Sequence, residues 1–453
     1  AEREALSAAL EALALQGREL EARGAAAEAL AAPRRRERET LEAYRILGTR
    51  ISGTARAGVT QPASILETYR DLAEDDVSLL QFRLGAERSY AWLLSPAGLA
   101  SAELAAGEVL EQRALGLHRF LSEGRERLAR RPVDRRLRDL SDLLLADLPP
   151  LPESRRLVIA AGGALDYVPF AALTEPATQQ LLIERFELVR TPSLSTLGAL
   201  RHRRQGREPA PGILALVADP VFSRSDARLK GRAASMTSAA EAVALAPAAP
   251  ALLRSAEIDS DLPRLPATAD EAQAIAALVP ADRRILLLGF DANRGRVTRR
   301  ELLEHRILHF ATHAWIHERH PELSGLALSR FDARGRERDG YLWVYDLARL
   351  ETRADLVVLS ACRTALGQRV DGEGLLGLTQ GFFQAGASSL IVSLWDVEDR
   401  ATSRLMQRFY EHLERSDWAQ PAAALRRAQL DLRAQATFDS PYFWAGFMLQ
   451  GDH

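Results

Sequence analysis

Apolar residues occur in two different patterns along the chain, and the change between them divides it into two regions. In residues 1 to about 50, leucines recur three or four positions apart, which predicts amphipathic helices. Short aromatic and aliphatic runs separated by Gly and Pro predict an antiparallel β meander at residues 77–104. Helical spacing returns at 108–148 and ends at three closely spaced prolines. Residues 1–150 are therefore predicted to form a helical N-terminal region with a small β meander.

Continuous apolar runs alternate with helical stretches in residues 151–453. The runs are Leu157–Ala161, Ile213–Ala218, Ile285–Leu288, Ile307–Thr312, Leu356–Ala361 and Ser389–Leu394. Helical spacing predicts helices at Asp270–Leu278, Leu342–Leu350, Gly374–Ala385, Glu398–Glu414 and Pro421–Ala434. Strands that are apolar on both faces are typical of a parallel sheet covered by helices. We therefore predict an α/β fold with a mostly parallel sheet, interrupted at about 223–261 by a flexible insertion without apolar runs.

The composition predicts a globular cytoplasmic protein of two or three domains. The chain has 453 residues, of which 47% are hydrophobic and 26% charged. Its 59 basic and 61 acidic residues nearly cancel, so no net field favours nucleic acid or a membrane surface as a partner. A single cysteine excludes an internal disulfide framework, and no apolar run approaches the length of about 18 residues that a membrane-spanning helix needs.

The one cysteine and a histidine follow two of the predicted buried strands. His313 follows the run at 307–312, and Cys362 closes the run at 356–361. The carboxyl ends of parallel strands are where such sheets place their chemistry. An unperturbed thiol needs a base near pH 7, and imidazole is suited to that task. We predict a Cys–His dyad with Cys362 as nucleophile and His313 as general base; the alternative is that Cys362 is an inert buried residue.

An acyl-transfer site also needs hydrogen-bond donors for the negative charge that develops on the substrate carbonyl oxygen. Backbone amides can supply them. The N–H groups of Ala314 and Cys362 are the predicted donors, because both lie just beyond the ends of predicted strands.

Acidic residues follow two of the same strands. Asp371 and Glu373 come after Cys362, and Asp396 and Asp399 come after the run at 389–394. A carboxylate at this edge of the sheet is suited to pair with a guanidinium group of a substrate. These four residues are therefore the candidates for binding a basic side chain of the substrate. The alternative is that Asp396 or Asp399 caps the helix that follows.

A metal site is the competing interpretation of the histidines. His305, His309, His313 and His317 recur at every fourth position, which on a helix would bring them together. The apolar residues between them favour a strand instead, where His309 and His313 are about 13 Å apart. We therefore predict no metal and no cofactor, with His309 as a buried core histidine. A metal-dependent hydrolase is the third alternative for the function.

Several segments resemble those of a known family. They are Ile307–His313, Leu359–Ala365, Asp371–Leu375, Ser393–Val397 and Pro441–Phe447. Together they resemble the CHAT domain, a caspase-like and separase-like cysteine peptidase family that is often joined to tetratricopeptide repeats. The resemblance extends over about residues 150 to 453. The N-terminal helical region is similar to a degenerate tetratricopeptide repeat.

The resemblance implies a caspase-like αβα sandwich with His313 as general base and Cys362 as nucleophile. It also implies that Asp396 or Asp399 receives an arginine side chain, as an aspartate in the similar segment of separases does. One position departs from the family pattern, because Ala314 stands where glycine usually follows the catalytic histidine. If that position needs a positive φ or close substrate approach, alanine would strain or narrow the oxyanion site.

The sequence therefore predicts a cysteine endopeptidase that cleaves a protein substrate after Arg or Lys. We expect a protein activator that acts through the N-terminal helical region, because family members are often held latent. The alternative is a catalytically weak or inactive caspase-like scaffold that acts as a protein interaction module. Ala314 is the residue that favours this second interpretation.

Overall fold

A computed structural model describes residues 76–123, 133–229, 262–315, 324–347, 349–360, 368–370 and 374–452 of the chain. The strands in these ranges are β1 Val77–Arg83, β2 Ser89–Ser95, β3 Gly98–Leu104, β4 Arg156–Ala160, β5 Glu187–Arg190, β6 Gly212–Ala218, β7 Arg284–Leu288, β8 His305–Ala311, β9 Ala314–Trp315, β10 Gly325–Ala327, β11 Tyr341–Trp343, β12 Leu356–Leu359, β13 Gln368–Val370, β14 Gly374–Leu376, β15 Ser389–Ser393 and β16 Phe447–Gly451.

Helices lie between most of these strands. They are α1 Gly107–Ser122, α2 Val133–Leu145, α3 Leu182–Arg185, α4 Leu194–Arg204, α5 Ala267–Ala277, α6 Arg294–Val297, α7 Arg300–Leu303, α8 Val344–Leu347, α9 Leu378–Ala385, α10 Asp399–Glu414, α11 Pro421–Arg433 and α12 Pro441–Trp444. Within the described ranges, no helix is both long enough and apolar enough to cross a bilayer.

The central sheet has eleven strands in the order β3-β2-β1-β4-β5-β16-β15-β12-β8-β6-β7. It consists of two parallel blocks that run in opposite directions. One block contains β1, β4, β5 and β16, and the other contains β15, β12, β8, β6 and β7. The blocks meet where β16 pairs antiparallel with β15, with Ser393 opposite Phe447. As a result, the strands of the two blocks end at opposite edges of the sheet.

Helices cover both faces of the block that contains β8. His309 contacts Tyr410 of α10, and the next residue along the strand, Phe310, contacts Phe382 of α9 with 5.7 Å between ring centroids. Because successive side chains of a strand point to opposite faces, α10 and α9 lie on different sides of the sheet. Every residue of β6, β12 and β15 is buried, as continuous apolar runs predict. The predicted α/β fold, a caspase-like sandwich with a mostly parallel sheet, is confirmed.

The predicted β meander corresponds to β1, β2 and β3, which pair antiparallel in sequence order. β1 also pairs in parallel with β4, so the meander extends the central sheet. The N-terminal helices predicted before residue 76 lie outside the described residues, as do positions 230–261 of the predicted insertion. The division into an N-terminal region at 1–150 and a second region at 151–453 stays a prediction.

Candidate active site

Three neighbouring strands end at the edge of the sheet where the sequence predicts the catalytic residues. β8 pairs in parallel with β12, with His309 opposite Val358, and β12 pairs in parallel with β15. The pairing continues beyond the end of β12, because the Ser360 N–H donates to the Phe310 carbonyl at 3.0 Å. The segments that follow these three strands therefore leave the sheet side by side.

His313 follows β8 at this edge and is half-buried. Its Nε2 is 2.8 Å from the carbonyl oxygen of Pro263, and its ring lies 5.0 Å from the ring of buried Phe222. A carbonyl oxygen can only accept a hydrogen bond, so Nε2 carries the proton. In the neutral imidazole, Nδ1 then holds the free lone pair and is the nitrogen that can accept a proton from another group.

Ala314 begins the short strand β9 and pairs with Leu326 of β10. The Ala327 N–H donates to the His313 carbonyl at 2.9 Å, which makes Ala314 and Leu326 a non-hydrogen-bonded pair of this antiparallel ladder. The ladder therefore does not use the Ala314 N–H. The φ of Ala314 is not positive, and the residue lies in strand β9, so its backbone is extended. This backbone conformation does not require glycine.

Several predicted site residues lie outside the described residues. They are Cys362, Asp371 and Glu373, together with His317 of the histidine series. Cys362 follows Ser360, the last described residue after β12, by two positions. The roles predicted for these residues stay predictions.

Asp396 and Asp399 occupy different surroundings after β15, although both are exposed. Asp399 is the first residue of α10 and lines a cavity of about 30 Å³ at the edge of the sheet, whereas Asp396 does not. The N-cap residue of α10 is Glu398, and its side chain makes no capping hydrogen bond. Asp399 lies in the first helical turn, where the helix dipole favours a carboxylate. The structure thus distinguishes the two aspartates that the sequence leaves equivalent.

The cavity beside Asp399 is lined by residues from the ends of β8, β12 and β15 and from the start of α5. The lining residues are Leu265, Ala267, Thr268, Glu271, Thr312, Ser360, Ser393, Trp395, Val397, Asp399, Thr402 and Phe447. The charged groups among them are two carboxylates, and the uncharged polar groups are hydroxyls and the Trp395 indole, whose N–H is bonded to the Tyr442 carbonyl. The cavity therefore has the electrostatic character that favours a cationic guest.

Glu271 also lines this cavity and is not among the residues predicted from the sequence. It is 2% exposed, and it accepts a hydrogen bond from the Ser360 hydroxyl at 3.3 Å. Nε2 of fully buried His309 lies 3.3 Å from the same carboxylate oxygen, but without the alignment of a hydrogen bond. The sequence did carry a signal for Glu271, because a charged residue on the otherwise apolar inner face of α5, beside Ala272 and Ile275, is unusual.

His309 is a core histidine, as the strand pattern predicts. Its Nδ1 is 2.9 Å from the hydroxyl of Tyr410, and both side chains are fully buried. Burial raises the pKa of Tyr410 well above its usual value, and the nearby Glu271 carboxylate raises it further. The phenol therefore stays protonated at neutral pH and remains a hydrogen-bonding partner of the imidazole.

The segment after β15 is held by the aromatic motif that precedes β16. The Trp395 indole donates to the Tyr442 carbonyl at 3.0 Å, and the Tyr442 hydroxyl donates to the Asp396 carbonyl at 2.9 Å. The Leu394 N–H donates to the Gly446 carbonyl at 2.8 Å. Through these bonds, the motif at 441–447 fixes the backbone of the motif at 393–397.

Gly446 leaves room for that contact, and we expect its replacement by alanine to destabilise the protein. A Cβ at this position would lie 2.8 Å from Val397 Cγ2 and 3.0 Å from the Trp395 indole. Overpacking of this kind typically costs about 1–3 kcal/mol of unfolding free energy. Urea unfolding of Gly446→Ala would measure the loss. Gly116→Ala is the matched control, because a Cβ there meets nothing within 4 Å in helix α1; an equal loss in both variants would contradict the prediction.

A large, mostly parallel sheet with a histidine at its carboxyl edge and an acidic cavity beside it defines a caspase-like peptidase scaffold. The family model of the CHAT domain matches residues 134–452, which is more than half of the chain. The chain therefore belongs to the CHAT domain family, as the sequence motifs predict.

Curated relatives of the chain include tetratricopeptide repeat protein 28 of Mus musculus and of Homo sapiens. The mouse protein is 29% identical and the human protein 28% identical, each over 359 residues that cover 70% of this chain. The match spans 13% of the length of each relative.

Similar solved structures include two separase–securin complexes of Saccharomyces cerevisiae. One has a TM-score of 0.49 and 8% identity, covering 85% of this chain and 30% of the other. The second has a TM-score of 0.47 and 10% identity, covering 85% and 31%.

Proposed function

We propose that the chain is a cysteine endopeptidase that cleaves a protein substrate after Arg or Lys, with Cys362 as nucleophile and His313 as general base. The observation that carries this proposal is the hydrogen bond from His313 Nε2 to the Pro263 carbonyl. It fixes the proton on one ring nitrogen and leaves Nδ1 as the acceptor. A histidine held in this way is prepared to take a proton from a neighbouring thiol.

The strand pairing supports the placement of the nucleophile. β12 lies beside β8, and adjacent strands are about 4.8 Å apart. Cys362 is two residues beyond Ser360, and two peptide units span at most roughly 7 Å between Cα atoms. His313 is two residues beyond the end of β8. The length of the chain therefore permits the proposed contact between thiol and imidazole.

The proposed reaction proceeds by acyl transfer. Nδ1 of His313 takes the Cys362 proton, and the thiolate sulfur attacks the scissile carbonyl carbon to form a C–S bond. The negative charge on the carbonyl oxygen is stabilised by backbone N–H groups, for which Ala314 is a candidate because its ladder does not use that donor. His313 returns the proton to the leaving amine as the C–N bond breaks. Water then attacks the thioester and releases the acid and the free thiol.

The acidic cavity supports specificity for a basic residue before the scissile bond. Glu271 at its inner end and Asp399 at its outer end provide two carboxylates for one guanidinium or ammonium group. Of the two predicted aspartates, Asp396 and Asp399, we assign the specificity role to Asp399, which lines the cavity. A panel of fluorogenic peptides ending in Arg, Lys, citrulline or Asp tests this assignment. Preference for Asp, or equal cleavage of Arg and citrulline peptides, would contradict it.

A second candidate function is that of a scaffold whose caspase-like core binds a partner without catalysis. The observation that favours it is the size of the cavity, because about 30 Å³ holds about two water molecules and a substrate arginine needs the lining segments to move apart. Such movement is also what an activating protein partner would supply, so the cavity is compatible with a latent enzyme.

Labelling of the thiol separates the two candidates. We expect an arginine-containing acyloxymethyl ketone to label the wild-type chain at Cys362, because His313 activates that sulfur towards electrophiles. Intact-mass spectrometry of the wild type and of His313→Gln would measure the extent of labelling, with His202→Gln, an exposed histidine on α4, as the matched control. Equal, slow labelling of all three proteins would favour the scaffold.

A further inference from the structure

The carbonyl that holds His313 belongs to a segment that is itself fixed by an ion pair. Arg264 directly follows Pro263, and its guanidinium binds Asp219 through two parallel hydrogen bonds, Nε to Oδ1 at 2.9 Å and Nη2 to Oδ2 at 2.7 Å. Bidentate pairs of this type restrict geometry more than a single contact does. The position of the Pro263 carbonyl is therefore coupled to Asp219.

Asp219 is suited to act as an anchor. It follows β6 at the same edge of the sheet as His313, it is 4% exposed, and its φ is +47°. Its own N–H donates to the Thr268 hydroxyl at 3.0 Å, and that hydroxyl donates to the Leu265 carbonyl at 2.7 Å. The segment that carries Pro263 is thus attached both to the carboxylate of Asp219, through Arg264, and to its backbone N–H, through Thr268.

A second arginine holds Asp219 independently. The Arg228 guanidinium donates from Nη1 to Asp219 Oδ2 at 2.8 Å and to the Asp219 carbonyl at 2.9 Å. Asp226 pairs with the other side of the same guanidinium, at 2.6 Å and 2.9 Å. Removing Arg264 would therefore leave the buried Asp219 carboxylate with a cationic partner, so that the local fold does not have to bury an unpaired charge.

We propose that Arg264 and Asp219 are positioning residues for His313. They hold the Pro263 carbonyl where it accepts the Nε2 proton, and in this way they keep Nδ1 as the basic nitrogen. Neither side chain touches the reacting atoms. The catalytic consequence depends on the proposed function, in which His313 is the base, but the hydrogen bond itself can be tested without any turnover.

Arg264→Gln is the principal variant. Arg264 has 42% of its side chain exposed, so its replacement leaves the core intact. Arg338→Gln is the matched control, because Arg338 is 54% exposed and pairs with Asp332 through two hydrogen bonds that involve neither Asp219 nor the segment of Pro263. Arg264→Lys retains the charge without the bidentate geometry, and Asp219→Asn removes the anchor charge with a residue that tolerates positive φ.

The first measurement is the side-chain N–H signal of His313 in ¹⁵N-histidine NMR spectra of the full chain with Cys362→Ala. The signal is assigned by its loss in His313→Gln. We expect a protected Nε2–H proton in the Cys362→Ala protein and in its Arg338→Gln derivative, and loss of that protection in the Arg264→Gln derivative. The same protection in all three proteins, or in none, would overturn the proposal.

The second measurement is steady-state kinetics in the presence of the native Cys362. We expect Arg264→Gln to lower kcat by about 10- to 100-fold with KM changed less than about twofold, because the base is misplaced while the substrate pocket is kept. Arg264→Lys and Asp219→Asn should fall between Arg264→Gln and the wild type, and Arg338→Gln should match the wild type. A rise in KM with kcat unchanged would overturn the positioning role. Absence of both turnover and His313-dependent labelling of Cys362 in the wild type would instead refute the proposed function, and the NMR comparison would still decide the proposal.

Discussion

Replacing Cys362 by alanine is expected to lower kcat/KM for an Arg peptide by at least about 10⁴-fold, since loss of a catalytic nucleophile removes the covalent route entirely. His313→Gln should cause a loss of similar size, because nucleophile and base act as a unit and their effects do not add. The double variant should therefore be no worse than either single variant. Release of the fluorophore from the peptide measures all of these rates.

The control for this prediction is His202→Gln, which changes an exposed histidine on α4 and should leave the rate unchanged. Thermal unfolding of each variant shows whether a low rate reflects chemistry or loss of fold. Full turnover by Cys362→Ala would mean that another group performs the reaction, and the dyad proposal would fail.

Reversal of charge at Asp399 should have the second largest effect. In Asp399→Lys, a cation replaces the carboxylate at the outer end of the acidic cavity. Repulsion of a like charge and loss of the ion pair together should reduce kcat/KM for Arg peptides by about 100- to 1000-fold, in line with the 2–5 kcal/mol typical of disrupted close charge pairs. Cleavage of a citrulline peptide should change much less, because that side chain has no charge.

Glu414→Lys tests whether this effect is local. Glu414 is an exposed acidic residue at the opposite end of the same helix, α10, so its reversal changes the net charge by the same amount far from the cavity. We expect it to retain wild-type specificity. Equal losses in the two variants would indicate a long-range electrostatic effect and would remove Asp399 from the specificity site.

The strands of the block that contains β8 could be predicted because burial on both faces leaves a direct trace in the sequence. β6, β12 and β15 are entirely buried, and each coincides with a continuous apolar run. The opposite direction of the two blocks left no such trace, since it arises from the pairing of β16 with β15. Tertiary pairing decides strand direction, and local composition does not report it.

Local pattern also failed where pairing overrides propensity. The apolar residues at 342–350 predict a helix, but Tyr341–Trp343 is strand β11, and the helical part is limited to Val344–Leu347. β11 is a strand because it pairs with β10, which lies between it and β9 beside His313. Context of this kind lies outside any short window of sequence.

The candidate site was predictable only as far as its side chains occur at strand ends. His313, Asp399 and Ala314 could be named from sequence, whereas the group that orients the imidazole could not, because it is a backbone carbonyl fifty positions away. A search of the sequence for an acidic side chain that orients His313 cannot find a backbone carbonyl. Glu271 was not predicted for a related reason, because its contact with Ser360 depends on the packing of α5 against the sheet.

The central position of β16 has a consequence for biosynthesis. β16 lies between β5 and β15, yet it is synthesised after all the other described strands. While the chain emerges from the ribosome, the block containing β5 and the block containing β15 therefore lack the strand that joins them. Because contacts over such sequence distances form late, the completed sheet arises after the end of β16 has left the exit tunnel. Pairing across the middle of the sheet is therefore among the last events in the folding of this segment.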